Sequence, residues 1–194
     1  MKYLTFLLLA VILLSPSLLP AQLDDDNRGR DGIEGEMAPP LGVSDWIQLP
    51  EGKERLGIPD FRDKVLVMLM FQSTCTACEF REFPVLKQLV EEFEGDDGVA
   101  FLAIQTTFEN FSDNSELALQ PTADKHDLQI PFGHLAKTPD NYSINIAYDT
   151  PGTPWWVVVD REGKVVFNDK TMHPDVATDN IRKLIAGESP ISVE

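Results

Sequence analysis

The sequence predicts an α/β sandwich around one mostly parallel sheet that also carries an antiparallel hairpin. Three observations carry that reading. Residues 65–71, VLVMLMF, and 98–105, GVAFLAIQ, are unbroken apolar runs of strand length, as in central strands covered on both faces. Between them, residues 79–94 have helical periodicity, with Phe83, Leu86, Leu89, Val90 and Phe93 on one face and Glu91, Glu92 and Glu94 outward. Residues 155–168, WWVVVDREGKVVFN, read as two strands around the turn Arg161-Glu162-Gly163-Lys164.

The remaining elements follow in order. Trp46 to Leu49 is a short strand, and a turn region spans Gly57 to Asp63. The helix over 79–94 contains Pro84, which should kink it. Residues 106–128 are polar and partly helical, an insertion, and residues 138–148 hold a short helix. The last helix runs from Pro174 to Ala186, with His173 at its cap, Pro174 in its first turn and Gly187 as its stop. The 194 residues show no internal repeat and no second break in composition, so they make one domain, residues 41–190.

Ahead of that domain lie two segments of different character. Residues 1–21 have one lysine, an apolar run from Tyr3 to Leu14, the helix breakers Ser15, Pro16 and Pro20, and small Ala21. That is the layout of a secretory signal peptide cleaved after Ala21, which implies a periplasmic or secreted protein; an uncleaved anchor is the competing reading. No cysteine follows the run, which excludes a lipoprotein anchor. Residues 22–40 are rich in Asp, Glu and Gly, and read as a flexible acidic linker.

Charge narrows the function. With 32 acidic and 16 basic residues the net charge is −16, which argues against nucleic acid and against anionic membrane surfaces as partners. After cleavage no stable membrane insertion is expected.

The two cysteines of the chain, Cys75 and Cys78, sit in FQSTCTACEFREFP where a buried strand hands over to a helix. A helix N-terminus favours negative charge, so a thiolate is favoured at Cys75. Cys78, one turn on, is near enough to attack a mixed disulfide formed there. Such spacing beside a βαβ pattern suits a dithiol oxidoreductase. A zinc site needs four ligands, and the histidines, His126, His134 and His173, are scattered. A purely structural clip across so short a loop would restrain little chain entropy.

The stretch VLVMLMFQSTCTACEFREFP resembles the active-site strand and helix of thioredoxin-fold proteins, especially the exported TlpA/ResA-like redoxins. The resemblance continues in GVAFLAIQTTFENF, DLQIPFGHL and YDTPGTPWWVVVDREGKVVFND, covering roughly residues 41–187. It implies a thioredoxin-like three-layer sandwich, a mixed central sheet flanked by helices, with the insertion near 106–128. It implies a thiol–disulfide oxidoreductase in which Cys75 and Cys78 are catalytic, exchanging disulfides with exported protein substrates and served by an upstream thiol electron donor. No cofactor and no metal are implied. It further implies that Pro154 is cis beside the cysteines and that Thr153 offers backbone hydrogen bonds to an extended substrate. Trp155 and Trp156, next in sequence, are candidates for a docking surface, although strand alternation buries at least one.

The chain departs from the pattern in three places. Thr74 stands where the family usually has Trp. Leu69 replaces a buried carboxylate or amide. Glu82 and Pro84 each fall one residue later after the second cysteine than in relatives, so the helix entry has one extra residue. Glu79, Glu82 or neither carboxylate serves as proton acceptor for Cys78, and the sequence leaves the three alternatives open. Two rival functions share the fold: a peroxiredoxin-like peroxidase, disfavoured by the missing upstream proline, and a copper-delivery protein, disfavoured by the Cys spacing.

Overall fold

The computed structural model describes residues 32–107, 112–135 and 144–189. The signal peptide expected at 1–21 and the first part of the linker, 22–31, lie outside the described residues. Six strands form one sheet in the order β1-β4-β3-β2-β5-β6. They are β1 (Asp45–Ile47), β2 (Val65–Phe71), β3 (Val99–Gln105), β4 (Phe132–His134), β5 (Trp155–Val159) and β6 (Val165–Asp169). The helices are α1 (Phe83–Glu92), α2 (Leu119–His126), α3 (Ile144–Ala147) and α4 (Pro174–Ile185).

β2 is the centre because all of its residues can be buried, and all are. It pairs in parallel with β3, from Val65↔Val99 to Phe71↔Gln105. On its other side it pairs antiparallel with β5, from Leu66↔Val159 to Met70↔Trp155. β4 is parallel to β3, β1 antiparallel to β4, and β6 closes the hairpin with β5. Strand alternation divides β2 between two cores. Val65, Val67, Leu69 and Phe71 face Leu86, Leu89, Ala123, Ile181 and Leu184 of α1, α2 and α4. Leu66, Met68 and Met70 face the opposite layer, which includes Leu41, Leu56, Tyr148 and the N-terminal segment. The result is the mixed sheet between two covering layers that the resemblance implies; the mostly parallel sheet read from the apolar runs is corrected, since β1–β4, β2–β5 and β5–β6 are all antiparallel.

The entry to α1 is a π turn rather than a regular α-helical one. Cys78–Glu82 form a π-helical turn, and α1 proper begins at Phe83 with Pro84 in its first turn. A π turn absorbs one additional residue without breaking the helix path. Pro84 therefore does not kink the interior of a helix; it opens one, where its missing N–H is no loss.

One strand was not foreseen, and the helix expected within 106–128 is present. β4 is three residues long and follows Pro131, too short to show a period. The segment near 106–128 holds α2 and makes the crossover from β3 to its parallel neighbour β4. The flexible linker expected over 22–40 is corrected for its second part, because residues 32–39 are fastened to the sheet. Gly35 N–H donates to Val165 O and Val165 N–H to Glu36 O, each at 2.8 Å, and Ala38 N–H donates to Gly163 O at 2.9 Å. Backbone pairing of this kind needs no apolar side chain, so composition did not reveal it.

No helix among the described residues is long and apolar enough to cross a membrane.

Candidate active site

Beyond Phe71 the chain leaves the sheet through Gln72, Ser73 and Thr74 and enters a helical turn at Thr76, which puts Cys75 at the helix cap. Glu79 N–H donates to Cys75 O at 3.0 Å, the first bond of that turn. Cys75 and Cys78 are joined as a disulfide, their Cα atoms 5.2 Å apart. Cys75 is half-buried while Cys78 is fully buried. The backbone N–H of Cys78 points at Cys75 Sγ, 3.1 Å away. A free N–H of the first helical turn thus faces the sulfur that would carry negative charge when the bond is opened.

The loop before Cys75 is held from three sides. Cys75 N–H donates to Gln72 O at 3.0 Å. Gln105 at the end of β3 donates its amide to Ser73 Oγ at 2.9 Å. Asn114, wholly buried, takes the N–H of Thr74 at 3.3 Å and donates to Thr74 Oγ1 at 3.1 Å. Thr74 is therefore held as an exposed polar residue by a carboxamide forty positions away. No local sequence signal could have marked Asn114.

Antiparallel pairing of Met70 with Trp155 sets the residues after β2 beside those before β5. The Thr153–Pro154 peptide is cis, and Thr153 Oγ1 donates to Gln72 Oε1 at 3.3 Å. Gln72, which sequence reasoning missed, links the two segments: its side chain accepts from Thr153, beside Pro154, and its backbone carbonyl accepts from Cys75 N–H. Trp155 and Trp156 are both buried and do not form the docking surface that was considered for them.

The two candidate carboxylates differ sharply. Glu79 lies toward α2, its carboxylate 2.6 Å from Lys125 Nζ and 3.1 Å from His126 Nε2. Burial opposes its ionisation, but hydrogen bonds and charge from Lys125 and His126 outweigh that and hold its carboxyl below the usual range. His126 in turn stacks on Phe83, ring centroids 4.1 Å apart. Glu82, by contrast, is turned inward at the end of the π turn and buried. One oxygen accepts the Trp156 indole N–H at 2.7 Å and the other accepts from Arg81 Nε. Leu69 is buried and is the cross-strand partner of Trp156.

Among the described residues no group of three or more His, Cys, Asp and Glu side chains is placed to hold a metal.

No family model and no curated protein matches this chain. Solved structures do. A thioredoxin-like superfamily protein aligns with a TM-score of 0.69 at 24% identity, covering 79% of this chain and 99% of that one. A thiol-disulfide isomerase from Corynebacterium glutamicum aligns with a TM-score of 0.66 at 23% identity, over 77% and 97% of the two chains. The thioredoxin domain of a thiol-disulfide oxidoreductase from Bacteroides vulgatus gives 0.60 at 20% identity, over 79% and 98%. The chain has the thioredoxin-like fold, with its paired cysteines at the strand-to-helix junction.

Proposed function

We propose that this protein is a thiol–disulfide oxidoreductase whose Cys75–Cys78 pair exchanges disulfides with exported protein substrates. One observation carries the reading: the half-buried Cys75 sulfur receives the Cys78 N–H, while its buried partner lies one turn behind it. Such an arrangement favours a thiolate on the accessible sulfur and keeps the resolving sulfur out of reach of solvent.

In the reducing direction the Cys75 thiolate attacks one sulfur of a substrate disulfide. The Cys75–substrate bond forms, the substrate S–S bond breaks, and the released thiolate takes a proton from water. Cys78 then gives up its proton and attacks Cys75 Sγ, closing the Cys75–Cys78 disulfide and releasing the second substrate thiolate. Two electrons pass to the substrate and an upstream dithiol donor returns them. The same steps run backwards oxidise a dithiol. We assign Glu82 as the group that takes the Cys78 proton, since it is the buried carboxylate of the same π turn, whereas the part-exposed Glu79 is turned toward Lys125 and His126 of α2. Thr153 presents its backbone to an extended substrate segment beside Pro154. The leader-like residues 1–21 support export with cleavage after Ala21, which is where protein disulfides persist.

The test is trapping. Cys78→Ser, incubated with a disulfide-bonded protein, accumulates a mixed disulfide through Cys75 that a reductant releases. Equal trapping by Cys75→Ser shows that the assigned roles are wrong, and no exchange by the parent protein with any disulfide overturns the reading.

A further inference from the structure

Asn168 is a buried carboxamide on β6, a strand position where an apolar side chain would ordinarily pack. A buried amide is retained without penalty only when its donors and acceptors are used. Its partners lie on both flanks of the irregular segment 149–154. Its Oδ1 accepts the indole N–H of Trp155, the residue directly after Pro154. Its Nδ2 donates to Tyr148 O at 3.3 Å, just before the segment begins. One side chain thus ties together the two ends of the stretch that contains Thr153 and Pro154.

The N-terminal segment closes over the same residue. Asn168 N–H donates to the Glu34 carboxylate at 3.0 Å. Gly32 N–H donates to Asp149 O, and the Tyr148 hydroxyl donates to Pro39 O, each at 2.8 Å. Gly32 has φ +101°, and a Cβ there would lie 2.7 Å from Asn168 Cγ. The segment 32–39 and the segment 149–154 therefore meet on Asn168 with no room between.

We propose that Asn168 is a positioning residue for substrate binding, setting the placement of Thr153 and Pro154 under the clasp of residues 32–39. The substrate part of this inference rests on the thiol–disulfide exchange proposed above. Asn168 touches no reacting atom. Its effect is on how well an extended chain pairs with Thr153, and so on KM for peptide-borne disulfides rather than on the chemistry of Cys75.

Two variants in the full chain test it: Asn168→Leu, of similar volume, and Gly32→Ala, which presses on Asn168 from the clasp. With a disulfide-bridged peptide as substrate, KM rises about tenfold in each, the effect of losing roughly one buried hydrogen bond. kcat, and the rate with bis(2-hydroxyethyl) disulfide, move less than about twofold, as does the Cys75–Cys78 equilibrium with glutathione. An unchanged peptide KM overturns the proposal, as does a parallel loss with both substrates. A second measurement is independent of activity: amide hydrogen exchange over 149–155 quickens about tenfold in both variants while β2 and β3 keep their protection. If the parent exchanges with neither disulfide, the proposed function fails and this second measurement decides the positioning role by itself. Unchanged protection, or uniform loss across the sheet, then overturns it.

Discussion

The indole N–H of Trp156 donates to the carboxylate of Glu82 at 2.7 Å, both residues being fully buried. This bond joins the end of the π turn that carries Cys78 to the strand that follows Pro154. Within that turn Cys78 and Glu82 are both buried.

The first prediction follows from that bond. Glu82→Leu leaves the Trp156 N–H buried without an acceptor, which should lower stability by about 1–3 kcal/mol in urea unfolding. Glu82→Gln keeps an acceptor for Trp156 and should lose less. If Glu82 takes the Cys78 proton, both variants also slow the second step of exchange, so mixed disulfide accumulates even with Cys78 present. A Gln variant that unfolds as readily as the Leu variant would contradict the hydrogen-bond assignment.

Most of the sheet was legible in the sequence, and the reason is burial. β2 is uniformly apolar because it is covered on both faces, and the β5–β6 hairpin is announced by apolar runs about a polar turn with Gly163 at φ +91°. What stayed hidden depended on long-range backbone or polar contacts. β4, the residues Phe132, Gly133 and His134, has no period, and Gly133 is there because Trp46 and Val43 press against it. The fastening of residues 32–39 runs through backbone groups, which any composition can supply. The site divides in the same way. Cys75, Cys78, Thr153 and Pro154 stand in recognisable strings, whereas Gln72, Asn114 and Gln105 act across distances along the chain that no local pattern records. Glu82 lay between the two cases: its shifted register was visible, but only the π turn shows which way it points.

A second prediction concerns Glu79. Its ordinary value of 4.5 is lowered in the fold, where burial is outweighed by Lys125 and His126. A carboxylate whose folded value is depressed adds stability that is fully present above its unfolded value and is lost as pH falls through the folded one. Glu79→Gln should therefore be less stable than the parent by about 0.5–1 kcal/mol at pH 7. The gap should narrow steadily below pH 4.5. Urea titrations of both proteins at pH 7 and across the acid range read it directly. A gap that persists at pH 3 would mean that packing, not charge, is what Glu79 contributes.

His134 supplies the third prediction, with a different window. It pairs with Asp45 across the β1–β4 ladder, and its Nδ1 is buried with no partner among the described residues. Burial pushes its ionisation below the ordinary 6.5, partly opposed by Asp45 and Glu116. Here the unfolded chain binds a proton before the folded one does. Stability is therefore intact above pH 6.5 and declines below it, until the folded value is reached. The decline has a ceiling of about 1.4 kcal/mol for each pH unit within that window. His134→Leu removes both the titration and the orphaned nitrogen. Its unfolding midpoint should hold flat between pH 8 and the lower end of the window while that of the parent falls. If the two profiles run parallel below pH 6.5, the acid sensitivity of the parent comes from other groups, and His134 is a packing residue alone.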